Sequence, residues 1–248
     1  MSREAQAIVL VLLGGTLLHA GATDLYLRYV KAGLQPLLLA AGAALVIAAI
    51  ATACHEWRPQ KATKKTVPEP AEDAQNAQQA HSHREPRICW LLLLPLLGLS
   101  LVAPPALGSY TATNTGTALR QVGVPDSLPP TGPLQLGVLD YARRAVYDHG
   151  HSLADRPITL TGFITADRDG APYLTRMILN CCAADAQPVK VRLSGQIPPV
   201  VQPDTWFTVT GTYTGRQTTD PINAGPVPFI DVSRADPVSA PPDPYESW

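Results

Sequence analysis

Charge is what this sequence is short of. Asp, Glu, Lys and Arg make up 16% of it, and residues 5–22, 36–53 and 88–107 contain none of the four. Other shortages exclude whole classes of chemistry. No Gly-rich phosphate loop of the Walker type is present, which excludes ATP hydrolysis by this chain. No Gly-x-Ser-x-Gly elbow is present, which removes the serine hydrolases built on it. The chain has four cysteines, Cys54, Cys89, Cys181 and Cys182, and none falls in a Cys-x-x-Cys spacing, so the usual signature of a disulfide oxidoreductase is missing. Basic residues are not in excess either. From Ser109 onward ten Lys and Arg stand against thirteen Asp and Glu, a net of −3. A groove that tracks phosphates needs the opposite sign, so nucleic acid is not an expected partner.

What is there begins with the charge-free runs, of 18, 18 and 20 residues. A hydrocarbon core of ~30 Å is crossed by about 20 helical residues, so each run is long enough to span. The third, Ile-Cys-Trp-Leu-Leu-Leu-Leu-Pro-Leu-Leu-Gly-Leu at its start, has no polar stripe such as a soluble helix would carry. Three transmembrane helices are therefore expected, with membrane lipid as a partner. A competing reading of the first run is a signal peptide, because Ala20-Gly21-Ala22 resembles a small-residue cleavage site. Lys and Arg orient the chain. Seven (Arg3, Arg58, Lys61, Lys64, Lys65, Arg84 and Arg87) lie on the side of the N-terminus and the 54–87 segment, against Arg28 and Lys31 near the membrane on the other. Positive charge collects in the cytoplasm. The expectation is a multi-pass protein of the cell membrane with a cytoplasmic N-terminus and an extracytoplasmic C-terminal domain.

The domain plan follows: a transmembrane hairpin over 1–53, a disordered cytoplasmic linker over 54–87, a third helix over 88–107, an extracytoplasmic linker over 108–133 and a β-rich domain over 134–248. The 54–87 segment is rich in Gln, Ala, Glu, Lys and Pro and cannot bury enough apolar surface to order itself. Its His81-Ser82-His83 pair reads as solvated. Ala103-Pro104-Pro105 ends the third run, since proline removes a donor and clashes with the preceding turn. Leu136, Leu139, Tyr141, Ala142, Ala145 and Val146 fit a short amphipathic helix, with Gly150 as its stop. After Pro157 the period changes to two. Strands are predicted over 158–165, 173–181, 189–193, 206–213 and 228–232, with Asp167-Arg168-Asp169-Gly170 as the first turn. Five short strands after a helix predict an OB-like five-stranded barrel, ahead of an open sandwich.

The local motif with chemical character is Asn180-Cys181-Cys182-Ala183-Ala184-Asp185. Neighbouring residues on a regular strand point to opposite faces, which would separate the thiols unless the strand ends or bulges between them. Ala183-Ala184-Asp185 reads as the start of a connection that brings Cys182 to the Asp185 carboxylate. Outside a reducing cytoplasm, exposed thiols oxidise or hold a soft metal. His149 and His151 are the residues that could complete a mixed thiolate and imidazole site. The alternative is a packed structural pair, because cysteine is among the most buried residue types.

The run from Tyr173 to Val189, with Gly162-Phe163 before it and Asp204-Thr205-Trp206 and Val209-Thr210-Gly211 after it, resembles the C-terminal domain of a bacterial family of two-component membrane permease complex subunits. Tyr29-Val30, Leu37-Leu38-Leu39-Ala40-Ala41-Gly42 and Leu91-Leu92-Leu93-Leu94-Pro95 are similar to its N-terminal half. The resemblance implies a separate polytopic permease subunit as partner. It also links the pair to zinc limitation, which makes zinc the cofactor or cargo it implies. No catalytic residues are carried over. The expected function is a non-catalytic accessory subunit that binds or gates a metal or other small solute. Two other readings stay open: a membrane-anchored extracytoplasmic thiol redox protein and a purely structural interaction module.

Overall fold

The computed structural model describes residues 3–56, 98, 105–120, 127–153, 155–167 and 170–248. The 57–97 stretch and nearly all of the third apolar run lie outside the described residues, and with them the expected linker, third helix, His81, His83 and Cys89. The chain forms two compact units, Met1–Ala22 with Pro36–Pro104, and Thr23–Gln35 with Pro105–Trp248.

The first unit contains α1 (Arg3–Ala22) and α2 (Gln35–Glu56). Small residues let the two backbones approach. A Cβ at Gly14 would lie 2.8 Å from the Gly42 carbonyl oxygen, and one at Gly21 would lie 2.8 Å from a Leu39 methyl. Close contact through glycine is how helices pack where no hydrophobic force drives them together. One helix, Ala32–Cys54, is long and apolar enough to cross a membrane, and Gln6–Ala22 is a shorter apolar helix. Three spans are thus not what the described residues display. Only 11% of the Ala32–Cys54 window is buried within the protein, whereas the core helix of a soluble protein would be mostly buried. Leu37, Ile47 and Ile50 are exposed apolar side chains on it.

The second unit is built on a closed barrel. Strands β1 (Leu134–Gln135), β2 (Ile158–Ala166), β3 (Pro172–Leu179), β4 (Gln187–Gly195), β5 (Trp206–Thr219), β6 (Pro226–Val238) and β7 (Tyr245–Ser247) form one sheet. Its order is β1-β2-β5-β6-β4-β3-β7, and the additional β2–β3 pairing closes a ring of five, β2-β5-β6-β4-β3. Every pair in that ring is antiparallel except β4 with β6. This is a closed five-stranded barrel of the OB-like kind, as the strand pattern predicts. At the predicted first turn the Gly170 N–H donates to Asp167 O at 2.9 Å, and Arg168 and Asp169 lie outside the described residues. Strands β5 and β6 run well beyond their predicted ends, because the added stretches are largely exposed and carry no buried alternation to mark them; residues 217–219 pair with 226–228, and 234–238 with 206–210. β1 and β7 were not expected, being too short to show a period.

Helix α4 (Val138–Tyr147) packs its apolar face on the barrel interior. Val138, Tyr141, Ala142 and Ala145 join Ile158, Leu160, Leu174, Ile178, Val189, Val191, Val209 and Ile230 in the core, all essentially inaccessible. The Tyr141 hydroxyl donates to Phe229 O at 2.5 Å, which satisfies its one polar atom. Gly150 ends this region at φ +71°, its N–H bonded to Arg144 O, and a Cβ there would strike the Tyr213 ring. Only glycine meets both conditions.

Residues 105–120 are not a linker, contrary to the 108–133 expectation. Helix α3 (Ser109–Asn114) lies against β2, and Ala112 is fully buried beside Phe163, Met177, Leu179 and Tyr245. Asp204 accepts the Ser109 N–H and hydroxyl, and the Ala118 N–H donates to Pro188 O. The buried Lys190–Asp220 pair, 2.7 Å apart, fixes the stretch that follows: Lys190 donates to Thr115 O and Asp220 accepts the Thr117 N–H. Thr, Asn and Gly here serve specific hydrogen bonds, which hydrophobic periodicity does not reveal.

Candidate functional site at the paired cysteines

β3 stops at Leu179, two residues short of its predicted end, because the backbone beyond it is taken over by Asp185. The Asp185 carboxylate accepts the Asn180 N–H at 3.1 Å and the Cys181 N–H at 2.8 Å. A 3-10 turn, Ala183–Asp185, returns the chain so that the Asp185 N–H bonds Cys182 O at 3.0 Å. Since the strand has ended, the alternation that would separate the thiols does not apply. Both cysteines are free, Cys181 is exposed and Cys182 partly so, and their sulfurs lie 3.7 Å apart. The thiol that the Asp185 carboxylate meets is that of Cys181, where the sequence reading set it against Cys182.

The electrostatics follow from this contact. The hydrogen bond to Asp185, then that to Cys182, push the Cys181 thiol up to about 11. The same thiol contact and the backbone N–H groups hold the Asp185 carboxyl below the usual carboxylate range. An activated nucleophile shows the reverse, a thiol lowered by a neighbouring cation or helix N-terminus.

A segment from much earlier in the chain completes the site. Thr23–Gln35 belongs to the same compact unit as the barrel. It opens with a 3-10 turn, Asp24–Arg28, whose Tyr26 and Leu27 are buried. It then lays Val30 beside Cys182 as an antiparallel bridge. The Lys31 N–H donates to Cys181 O at 3.1 Å and the Ala183 N–H donates to Tyr29 O at 2.7 Å. Nothing in the sequence pattern announces this clasp, because an isolated bridge has no period.

Beside the clasp is a cleft of about 860 Å³ lined by the Asp24–Arg28 turn, residues 105–110, Phe163, Asp204, Trp206 and prolines of the 240–244 stretch. Arg176 lies 5.0 Å over the Trp206 ring. Phe163 and Trp206 pack against each other at 5.6 Å, so these aromatics are committed to the protein.

His149 and His151 are exposed in the turn after α4. Among the described residues no group of three or more His, Cys, Asp or Glu is arranged to hold a metal ion. The structure therefore brings together Cys181, Cys182 and Asp185, and does not bring the histidines to them.

A five-stranded barrel with a helix on its core and a clasped cysteine turn at the end of its second ring strand defines a compact β-rich domain class. Residues 134–246 match the family model of the DUF1980 C-terminal domain, so such a domain is present in this chain, consistent with an uncharacterised family. No curated protein and no solved structure matches the chain.

Proposed function

We propose that the chain is a non-catalytic accessory subunit of a membrane permease complex, anchored by three N-terminal spans with its barrel on the outer face. The observation that carries the reading is topological. Thr23–Gln35 and Pro105–Trp248 form one compact unit and so share one side of any membrane. A chain that leaves that side through α2 must cross back before Pro105. The charge-free 88–107 run is the stretch available for the return. Seven Lys and Arg on the opposite side, against Arg28 and Lys31 on this one, favour an extracytoplasmic barrel.

The raised Cys181 thiol and the depressed Asp185 carboxyl support a binding or docking role over the thiol redox alternative, since neither group is tuned for attack or proton abstraction. The polytopic partner is inferred from the resemblance of both halves of the chain to permease-complex subunits. The test is co-purification: the tagged full chain, extracted in mild detergent from membranes that also contain the candidate permease, should bring that permease down. Deleting either gene should give the same transport defect. Purification of the chain alone, with unlike deletion phenotypes, sinks the reading.

A further inference from the structure

A second cavity of the barrel domain, of about 240 Å³, opens between the end of α3, the end of β2 and the β5–β6 turn. Tyr173 sits opposite Thr165 across β2 and β3, and Thr175 sits opposite Lys190 across β3 and β4. These four side chains share the face of the sheet away from the core, since Leu174, Val189 and Val191 between and beside them point inward. Two hydrogen-bond donors on this face are unspent. The Lys190 ammonium carries three N–H groups. It gives one to Thr115 O at 3.0 Å and one to Asp220 Oδ2 at 2.7 Å, and the third has no acceptor among the described residues. The Thr165 and Thr175 hydroxyls are 2.8 Å apart. Two hydroxyls hold two hydrogens, and the bond between them uses one. Thr165 lines the cavity and Thr175 does not, so Thr175 donates to Thr165 and the Thr165 hydrogen faces the cavity. Lys190, Thr165 and Thr175 are all more than nine-tenths buried, where an unmet donor is costly.

We propose that this cavity is a binding site for one neutral sugar ring, a hexose unit of a glycan. Charge selects against anions. Lys190 is balanced by Asp220 in direct contact, and Asp167 at the cavity adds a further negative charge, so phosphate and carboxylate groups are disfavoured. Hydroxyl groups suit what remains, because each one both accepts and donates. Sugar hydroxyls accept from Lys190 and Thr165. They donate to the Asn114 side-chain carbonyl, whose amide N–H already serves Tyr110 O, and to the Asp167 carboxylate beside Tyr173. Pro221 and the half-exposed Ile222 supply an apolar wall for the C–H edge of the ring. The volume is below the roughly 300–1,000 Å³ of sites for drug-sized ligands, which limits the guest to about one ring. A peptide is the competing guest. Extended peptides are captured by main-chain bonds along an open sheet edge. β2, β3 and β4 are each paired on both sides, so no such edge borders the cavity.

The site goes beyond the accessory-subunit reading and does not rest on it, since it involves neither the cysteine turn nor the apolar helices. The full chain, held in a detergent whose headgroup contains no sugar, is mixed in turn with the methyl glycosides of glucose, galactose, mannose and N-acetylglucosamine. Saturation-transfer NMR is read on the sugar protons. At least one glycoside should receive saturation and titrate in the millimolar range. Thr165→Val removes the hydroxyl that faces the cavity and should weaken that binding by at least about tenfold. Asn114→Ala, at an exposed position, should weaken it severalfold and keeps the test decisive where the buried substitution impairs folding. Triglycine and glucose 6-phosphate serve as the peptide and anion probes and should bind more weakly than the best neutral glycoside. No transfer to any of the four glycosides overturns the proposal. So does transfer that is unchanged in both variants while they remain folded, or stronger binding of triglycine or glucose 6-phosphate.

Discussion

The hydroxyl of Tyr245 donates to the carbonyl of Arg28 at 2.9 Å across 217 residues of sequence. It also accepts the Leu107 N–H at 3.0 Å. One phenol thus ties β7 to the loop between α1 and α2 and to the point where the chain enters the barrel domain. With the Val30–Cys182 bridge it makes the loop part of the folded domain rather than a connection passing over it.

Tyr245→Phe keeps the ring in its apolar cluster and removes both bonds. The loss should lower stability by about 1–3 kcal/mol, since a half-buried donor and a carbonyl lose their partner. Thermal unfolding of the full chain in detergent reads the change, and an unmoved midpoint would show that the phenol contributes only packing.

Lys31→Pro isolates one bond of the clasp. Lys31 already has φ −57°, within the range proline imposes, and Val30 before it is extended in its bridge. The substitution removes the N–H that reaches Cys181 O, at a cost of about 1 kcal/mol. Trypsin should then cleave after Arg28 faster than in the parent. Equal cleavage rates would mean that the loop is held without this bond.

Glu246 caps α4 with both carboxylate oxygens, accepting the Val138 and Leu139 N–H groups at 2.9 Å each, and lies 3.3 Å from the buried Arg176. Glu246→Ala removes the ion-pair partner of that guanidinium and should cost about 3–5 kcal/mol. Glu246→Gln keeps one acceptor and should cost less. Denaturant unfolding that ranks the two variants the other way would argue against the capping role.

A membrane-impermeant maleimide applied to intact cells should label Cys181 and leave Cys54 untouched, because the proposed topology puts the two on opposite faces and both are exposed in the fold. Mass spectrometry of the labelled peptides decides it. Labelling of Cys54 from outside would invert or abolish the three-span arrangement.

The reduced protein should alkylate slowly at Cys181 near pH 8. Its thiol is pushed up to about 11, so the reactive thiolate is scarce until the pH climbs into that region. Asp185→Asn removes the largest cause. The rate–pH profile of the variant should shift toward lower pH, nearer the ordinary thiol value of about 8.5. Coincident profiles would mean that Asp185 does not govern this thiol.

Much of the barrel was legible in the sequence because its strands carry a buried face. Ile158, Leu160 and Ile164 on β2 alternate as a half-buried strand must, and Gly150 marks the end of the helical region at a positive φ. The cysteine turn was legible as a motif, though its geometry was not. Asp185 stops β3 early through side-chain bonds to the backbone, a local competition that hydrophobic pattern cannot register. The clasp was least visible. Val30 and Cys182 meet through a single backbone bridge, and the 105–120 segment docks through polar bonds to Asp204, Asp220 and Lys190 as well as through the buried Ala112.

β7 also dictates an order of events in the life of the chain. Tyr245 and Glu246 are made about 190 residues after α2 ends, so the loop between the first two helices must wait uncovered. At about 5–20 residues per second that delay is roughly ten to forty seconds. In the proposed three-span arrangement the helices enter the lipid first and the domain seals afterwards. A surveillance protease on that side of the membrane would therefore meet a vulnerable Arg28–Lys31 stretch on every unfinished or barrel-defective copy, and a protected one on every finished copy.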